Sequence, residues 1–354
     1  MAECTFSDAT VIRDYGRPYI IAEVNSSHRG DTEIAKQMID AAAWAGCDCV
    51  KFQSWSAESL YAASYYKQNP IGKRIVQKFS VSPENLHEMA LYCQKKGIAF
   101  SSTPYSEAEV DFLIEECGAP FVKIASMEIN HLQFLRYIAG KHIPVVLSAG
   151  MSTGEEVLHA VRTLQEGGAG GIVLLHCVSL YPTPLSAANL RRISVMREQF
   201  PECPIGFSDH TEGDTAAVAS MALGAALIEK HMTLDRTKVG MDNSMATEPE
   251  QLKQLVEKCR SVPEALGSGT DTITPEEMKM REKMRRSIIA VTDLPAGHIL
   301  CAADLSAKRP GTGLSPDKMP ELIGRTLARP VIADTLLSPE DLMERNEKEK
   351  TYEQ

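Results

Sequence analysis

The chain has 354 residues, 44% of them hydrophobic and 24% charged, the ordinary balance of a soluble globular protein, with length for one large and one small domain. Forty-seven acidic against 37 basic residues leave a net charge of −10 with no basic stripe, which excludes a reader of phosphate backbones, so no nucleic-acid partner is expected. No apolar run approaches a membrane span, residues 1–14 lack the apolar centre of a signal peptide, and nine scattered cysteines read as free thiols; a cytoplasmic protein with no membrane partner is expected.

Along the chain, eight apolar runs ending in polar residues predict strands at 19–23, 49–53, 99–102, 121–124, 145–148, 172–177, 205–208 and 227–231. After the first, Ile34, Ala35, Met38, Ile39 and Ala42 recur three and four apart, with Glu33, Lys36, Gln37 and Asp40 on the other face. That is an amphipathic helix stopping at Gly46. Similar helical units run over 83–96, 106–117 and 154–165, each followed closely by a glycine. The alternation fits either a (β/α)8 barrel or a doubly wound open sheet. The barrel is favoured by where the reactive side chains fall. Glu23, Lys51, Gln53, Thr103, Lys123, Ser126, Ser148, Ser179, His210, Glu229 and His231 stand at or just after strand ends drawn from all eight, and only a closed ring brings every strand end to one site. The expected fold class is therefore α/β, a TIM barrel over 1–266. A polar linker over 267–285 leads into short apolar pieces punctuated by Pro295, Gly297, Pro310, Gly311, Gly313 and Pro316. These predict a small β-rich domain over 286–343, and charged residues 344–354 a disordered tail.

His210 and His231 each close a buried-strand pattern, with Ser208 and Glu229 two residues upstream. One such histidine is more often a satisfied core residue; two on successive strand ends read as a divalent-metal pair with positions left for water and a substrate oxygen. Manganese or magnesium suits oxygen ligands, and residue types alone leave zinc open. Lys51 and Lys123 lie in apolar strands, where an unpaired ammonium is costly. They form either structural ion pairs inside the barrel or a site for a phosphate or carboxylate. Ser126, Ser148, Ser179 and Ser208 are placed to donate to such an anion, although each alone fits a cap or turn. Glu23, inside a barrel, requires a cation, a sugar hydroxyl or a neighbouring lysine.

Several motifs follow one another over nearly the whole chain: Ile21-Ala-Glu23, His28-x-Gly-Asp31, Val50-Lys-Phe-Gln53, Phe121-Val-Lys-Ile-Ala-Ser126, His176-Cys-Val-Ser-Leu-Tyr-Pro-Thr-Pro184, Gly206-Phe-Ser-Asp-His210, Glu229-Lys-His231, Gly240-Met-Asp242 and Lys308-Arg-Pro-Gly311. In this order they resemble the sialic acid (N-acylneuraminate, nonulosonic acid) synthases, enzymes that condense phosphoenolpyruvate with an N-acylated amino sugar. The resemblance implies that the small domain is antifreeze-like (SAF) and that His210 and His231 hold the metal. It implies that Lys51, Lys123, Ser126, Ser148, Ser179 and Ser208 bind phosphoenolpyruvate, with Tyr181 and Gln53 nearby. Glu23, Asp242 and Tyr181 would meet the sugar, and Thr103 and Glu229 complete the substrate set. Glu23 is the expected proton carrier. Arg309 would reach into the barrel of a partner chain, which implies a domain-swapped homodimer.

The sequence departs from the family pattern in the first loop, Asn25-Ser-Ser-His-Arg-Gly30, where Gly-x-Asn-His-Asn-Gly is usual, at Asn243, where histidine is frequent, and at Ser179, where some members have asparagine. Arg29, beside His28, is expected to contact an anionic or unusual substituent of the acceptor. Alternatives are another phosphoenolpyruvate-dependent 3-deoxy sugar acid synthase, a Schiff-base aldolase through Lys51 or Lys123, and a non-catalytic binding protein.

Overall fold

The computed structural model describes residues 1–344; the expected tail lies, from residue 345 on, outside the described residues. The chain divides into two compact units after Gly267. In the first, an antiparallel hairpin of β1 (Glu3–Thr5) and β2 (Val11–Arg13) precedes eight parallel strands. These are β3 (Tyr19–Glu23), β4 (Cys49–Gln53), β5 (Ala99–Thr103), β6 (Val122–Ile124), β7 (Val145–Ser148), β8 (Ile172–Cys177), β9 (Ile205–Asp209) and β10 (Leu227–His231). The last parallel strand pairs with the first, Leu227 opposite Tyr19 and His231 opposite Glu23, which curls the sheet into a barrel and removes the open-sheet alternative. At the remaining seam, between β5 and β6, Ser101 Oγ donates to the Phe121 carbonyl at 3.1 Å.

Strand alternation sorts the side chains. Ile20, Ala22, Val50, Phe52, Val122, Val145 and Leu147 pack outward in the core shared with the helices. Tyr19, Ile21, Cys49, Phe121, Val146, Val173 and Leu227 fill the barrel interior. The hairpin plugs the lower end: Phe6 packs on Phe121 with centroids 4.5 Å apart and edge-on to Tyr19 at 5.3 Å. Interior polar groups are thereby gathered at the other end, where the strands finish.

The outer helices follow from their caps. Thr32–Ala45 starts with the Asp31 carboxylate accepting from the Glu33 and Ile34 N–H groups and stops at Gly46, whose φ is 85°. Pro83–Lys96 and Gly154–Glu166 lie where the periodicity places them, whereas Glu107–Glu115 stops short of Cys117. Three helices absent from the sequence reading, Ala57–Leu60, Ala63–Gln68 and Pro70–Phe79, follow β4 and share a small core of Trp55, Tyr66, Val76 and Phe79.

The second unit pairs β11 (Ser287–Ala290) with β12 (Leu305–Lys308); further pairing consists of single bridges such as Leu294 with Val331. Ile288, Ala290, Leu300, Leu327 and Leu337 form its core. Helix Pro275–Met284, expected within the linker, is bonded into this unit by the Gly311 N–H to the Glu282 carbonyl at 2.7 Å.

Candidate active site

A cavity of about 400 Å³ opens at the C-terminal ends of the barrel strands. Fourteen of the fifteen residues expected from the sequence line it. Glu23 comes from β3, Lys51 and Gln53 from β4, Thr103 from β5, Lys123 from β6 and Ser148 from β7. Ser126 lies just beyond β6, Ser179 and Tyr181 beyond β8, Ser208 in β9 with His210 one residue past it, Glu229 and His231 in β10, and Asp242 in the loop that follows. The fifteenth, Arg309, is an exposed residue immediately after β12 of the second unit.

The cavity floor is a buried charge cluster. Lys51 Nζ is paired with Glu23 Oε2, lies 3.0 Å from Thr103 Oγ1 and 3.6 Å from Glu229 Oε2. Lys123 Nζ donates to Ser148 Oγ at 2.8 Å and lies 3.7 Å from Glu229 Oε1, which also accepts from Ser208 Oγ at 2.8 Å. Burial opposes ionisation of Glu229, but Lys123, Lys51 and Ser208 outweigh it and hold its pKa down at about 2. Glu23 goes the other way: burial pushes its carboxyl up, Lys51 opposes, and the charge of Glu229 reinforces. Two carboxyl groups in one site are thus driven apart, Glu229 serving as fixed counter-ion and Glu23 poised to carry a proton.

Glu23 is also oriented. Its Oε1 accepts from the Asn25 N–H at 2.9 Å and from Gln53 Nε2 at 3.1 Å. The Gln53 amide is held in that sense because its oxygen accepts from Trp55 Nε1 at 2.8 Å and from the Tyr105 hydroxyl at 3.3 Å. Trp55 and Tyr105 were not among the expected residues; their one signal is standing two positions past the strand-end residues Gln53 and Thr103. Gly150 also escaped notice. Its N–H donates to Ser126 Oγ at 3.0 Å, and a Cβ there would press on the hydroxyls of Ser126 and Ser179 and on Cys177 Sγ. Glycine keeps open the space into which the two serines converge.

His210 and His231 stand with ring centroids 5.3 Å apart, and the Tyr181 ring is 4.2 Å from that of His210. His210 Nδ1 is 2.9 Å from the Val178 carbonyl, which only accepts, so Nδ1 carries a proton and Nε2 is the ring nitrogen left for a metal. Burial holds His231 well below the usual imidazole range and hence neutral. Asp242 Oδ2 lies 3.9 Å from His231 Nδ1 and accepts from Asn25 Nδ2. Burial alone would lower the His210 pKa, but Cys177 and the Val178 carbonyl outweigh it and raise it, so a divalent cation held by the two rings would compete with a proton at His210. Among the described residues no group of three or more His, Cys, Asp or Glu forms a ligand set, so such a cation would keep positions for water and substrate oxygens.

The first loop differs from its sequence reading. His28 is buried against Phe52, with centroids 5.9 Å apart, and its Nδ1 accepts from the Gly30 N–H at 3.0 Å. The loop has positive φ at Asn25 and Arg29, and Arg29 is not among the residues lining the cavity. Asn243 Nδ2 donates to the carbonyls of Asp235 and Lys238 at 2.7 and 2.8 Å, holding the loop before Asp242 rather than entering the cavity.

The profile of the NeuB family matches residues 38–271, and that of the SAF domain residues 285–343. The chain belongs to the NeuB family. This NeuB-family chain is 35% identical over 329 residues to the N,N'-diacetyllegionaminic acid synthase of Campylobacter jejuni, covering 90% of this chain and 98% of that one. It is 34% identical over 344 residues to the N-acetylneuraminate-9-phosphate synthase of Mus musculus, covering 94% of each. The solved N-acetylneuraminic acid synthetase of Leptospira borgpetersenii, in complex with citrate, matches with a TM-score of 0.72 and 32% identity over 78% of this chain and 94% of that one. The resemblance read from the motifs and the TIM barrel followed by an SAF domain are both borne out. The NeuB-family chain is an enzyme of the sialic acid synthase type.

Proposed function

We propose that this chain condenses phosphoenolpyruvate with an N-acylated amino sugar to give a nine-carbon nonulosonic acid and phosphate. The observation that carries the reading is the cavity itself, which two buried lysines and the hydroxyls of Ser126, Ser148, Ser179 and Ser208 line together with the paired imidazoles of His210 and His231. Charge accounting supports further parts. Lys51 and Lys123 are already offset by Glu23 and Glu229, and Asp242 adds another carboxylate. A highly charged anion such as phosphoenolpyruvate therefore draws on cations from elsewhere. We assign these to a manganese or magnesium ion on His210 and His231 and to Arg309 of the partner subunit, in a domain-swapped homodimer. No helix of the described residues is long and apolar enough to cross a membrane, and all nine cysteines are unpaired, which supports a reducing compartment such as the cytoplasm.

When bound, the metal supplies Lewis acidity that polarises the aldehyde of the open-chain sugar. Lys51, Lys123 and the four serines hold phosphate and carboxylate, which fixes the face of the enol presented to the sugar. Carbon 3 attacks the aldehyde carbon and forms the new C–C bond. Water traps the positive character left at carbon 2, and the tetrahedral centre loses phosphate by C–O cleavage. Thr103 keeps the Lys51 ammonium aimed, Glu23 exchanges the proton on the sugar side, and Tyr181 and Asp242 face the sugar. The test is phosphate release from phosphoenolpyruvate against a panel of amino sugars, lost on chelation and in His210→Ala. Capture of pyruvate on the enzyme by borohydride would instead indicate the Schiff-base aldolase.

A further inference from the structure

We propose that Asn25 is a positioning residue: its side-chain amide fixes the Asp242 carboxylate in the cavity wall and so sets how tightly the acceptor sugar is held. This rests on the condensation proposed above and adds a residue to that site.

Asp242 has little else to hold it. It stands in the irregular connection between β10 and the helix Pro249–Leu266. Among the described residues the only hydrogen bond to its carboxylate comes from Asn25 Nδ2. His231 Nδ1 is 3.9 Å away, beyond bonding distance. The first loop also grips the neighbouring residue, the Met241 N–H donating to Ser26 Oγ at 3.1 Å. On the other side Asn243 Nδ2 ties the connection to the Asp235 and Lys238 carbonyls. Asp242 therefore sits in a clasp, and Asn25 is the part of it that reaches the carboxylate.

Folding alone does not ask for asparagine here. The φ of 39° lies in the left-handed region, which glycine enters without strain. The amide oxygen is buried with no partner, a costly state. The position is also one where this sequence departs from the glycine usual in the family. What the side chain contributes is its donor to Asp242. The backbone makes a separate contact, the Asn25 N–H to Glu23 Oε1 at 2.9 Å, which does not depend on the side chain. Asn25→Gly therefore releases Asp242 and leaves the bond to Glu23 in place.

The test compares the full-length protein with its Asn25→Gly variant, using manganese, phosphoenolpyruvate and a panel that includes N-acetylmannosamine and 2,4-diacetamido-2,4,6-trideoxymannose. Loss of one charge-assisted hydrogen bond is expected to raise KM for the sugar about tenfold. KM for phosphoenolpyruvate should stay within about twofold, and Tm should not fall. Added to Asp242→Ala, the same change should move the sugar KM by less than about twofold, because the residue it acts through is gone. An unchanged sugar KM overturns the inference. So does an equal rise in both KM values with a lower Tm, the pattern of general loosening, or an undiminished effect in the Asp242→Ala background. Absence of phosphate release with every sugar overturns the condensation instead. Hydrogen exchange then still judges the clasp: amides of residues 238–246 should exchange faster in Asn25→Gly, and an unchanged rate overturns the inference independently.

Discussion

Glu229→Gln isolates the electrostatics of the cavity floor. Glu229 oxygens lie 3.6 and 3.7 Å from the two lysine ammoniums, and the three side chains are at most 5% exposed. At an effective dielectric of about 20 each contact has a gross Coulomb energy of about 4.5 kcal/mol. Desolvation of Glu229 offsets much of this, and breaking a buried pair from one side typically costs about 3 to 5 kcal/mol. We expect a loss of about 3 kcal/mol, which for a unit spanning Met1–Gly267 lowers Tm by about 5 °C. Phosphoenolpyruvate should raise the Tm of the variant more than that of the unaltered protein, because its anionic groups replace the missing counter-charge. The sign with pH follows from the depressed folded pKa, about 2 against an ordinary 4.5. The contribution is fully present above the ordinary value and is lost as pH falls toward the folded one. The deficit of the variant should therefore shrink on acidification below about pH 4. Scanning calorimetry in phosphate-free buffer decides it; equal Tm at neutral pH, or a deficit indifferent to both acid and phosphoenolpyruvate, would refute the reasoning.

Other consequences follow from single contacts. Gly150→Ala crowds the Ser126 and Ser179 hydroxyls and should raise KM for phosphoenolpyruvate about tenfold, with little loss of kcat, in steady-state assays. Tyr105→Phe and Trp55→Phe release the Gln53 amide; with its donor no longer aimed at Glu23, the acid limb of the kcat/KM profile should move to higher pH. An unchanged profile would separate Gln53 from Glu23. Phe6→Ala opens a cavity against Phe121 and Tyr19 at the closed end of the barrel and should cost about 3 to 5 kcal/mol in urea unfolding, while kcat of the folded fraction stays as it was.

The parts legible in the sequence were those that a short window encodes. Each barrel strand is an apolar run, and its period of two delivers Glu23, Lys51, Lys123, Ser208 and Glu229 to the same interior face. The hairpin was not legible, because three-residue strands carry no period and Phe6 acquires its role only from Phe121 and Tyr19, far away in sequence. Nor were Trp55, Tyr105 and Gly150. The first two act through the amide of Gln53, and Gly150 matters only because Ser126 and Ser179 converge on it. Adjacency in sequence says little about the first loop: Asn25 lines the cavity, His28 is buried against Phe52, and Arg29 is not in the lining. Helix residues 57–79 went unread because they fall into short pieces of four, six and ten residues, broken at Tyr61–Ala62 and at Asn69, of which only Pro70–Phe79 is long enough to show an amphipathic face.

The most direct test of the central claim uses phosphoenolpyruvate labelled with oxygen-18 at the oxygen bridging carbon 2 and phosphorus, incubated with the enzyme, manganese and the preferred amino sugar. Condensation with C–O cleavage sends that oxygen away with the leaving group, so mass spectrometry should find the label in inorganic phosphate and none retained from it in the sugar acid. Unlabelled phosphate, with the oxygen kept in the organic product, would mean cleavage at phosphorus and would contradict the account.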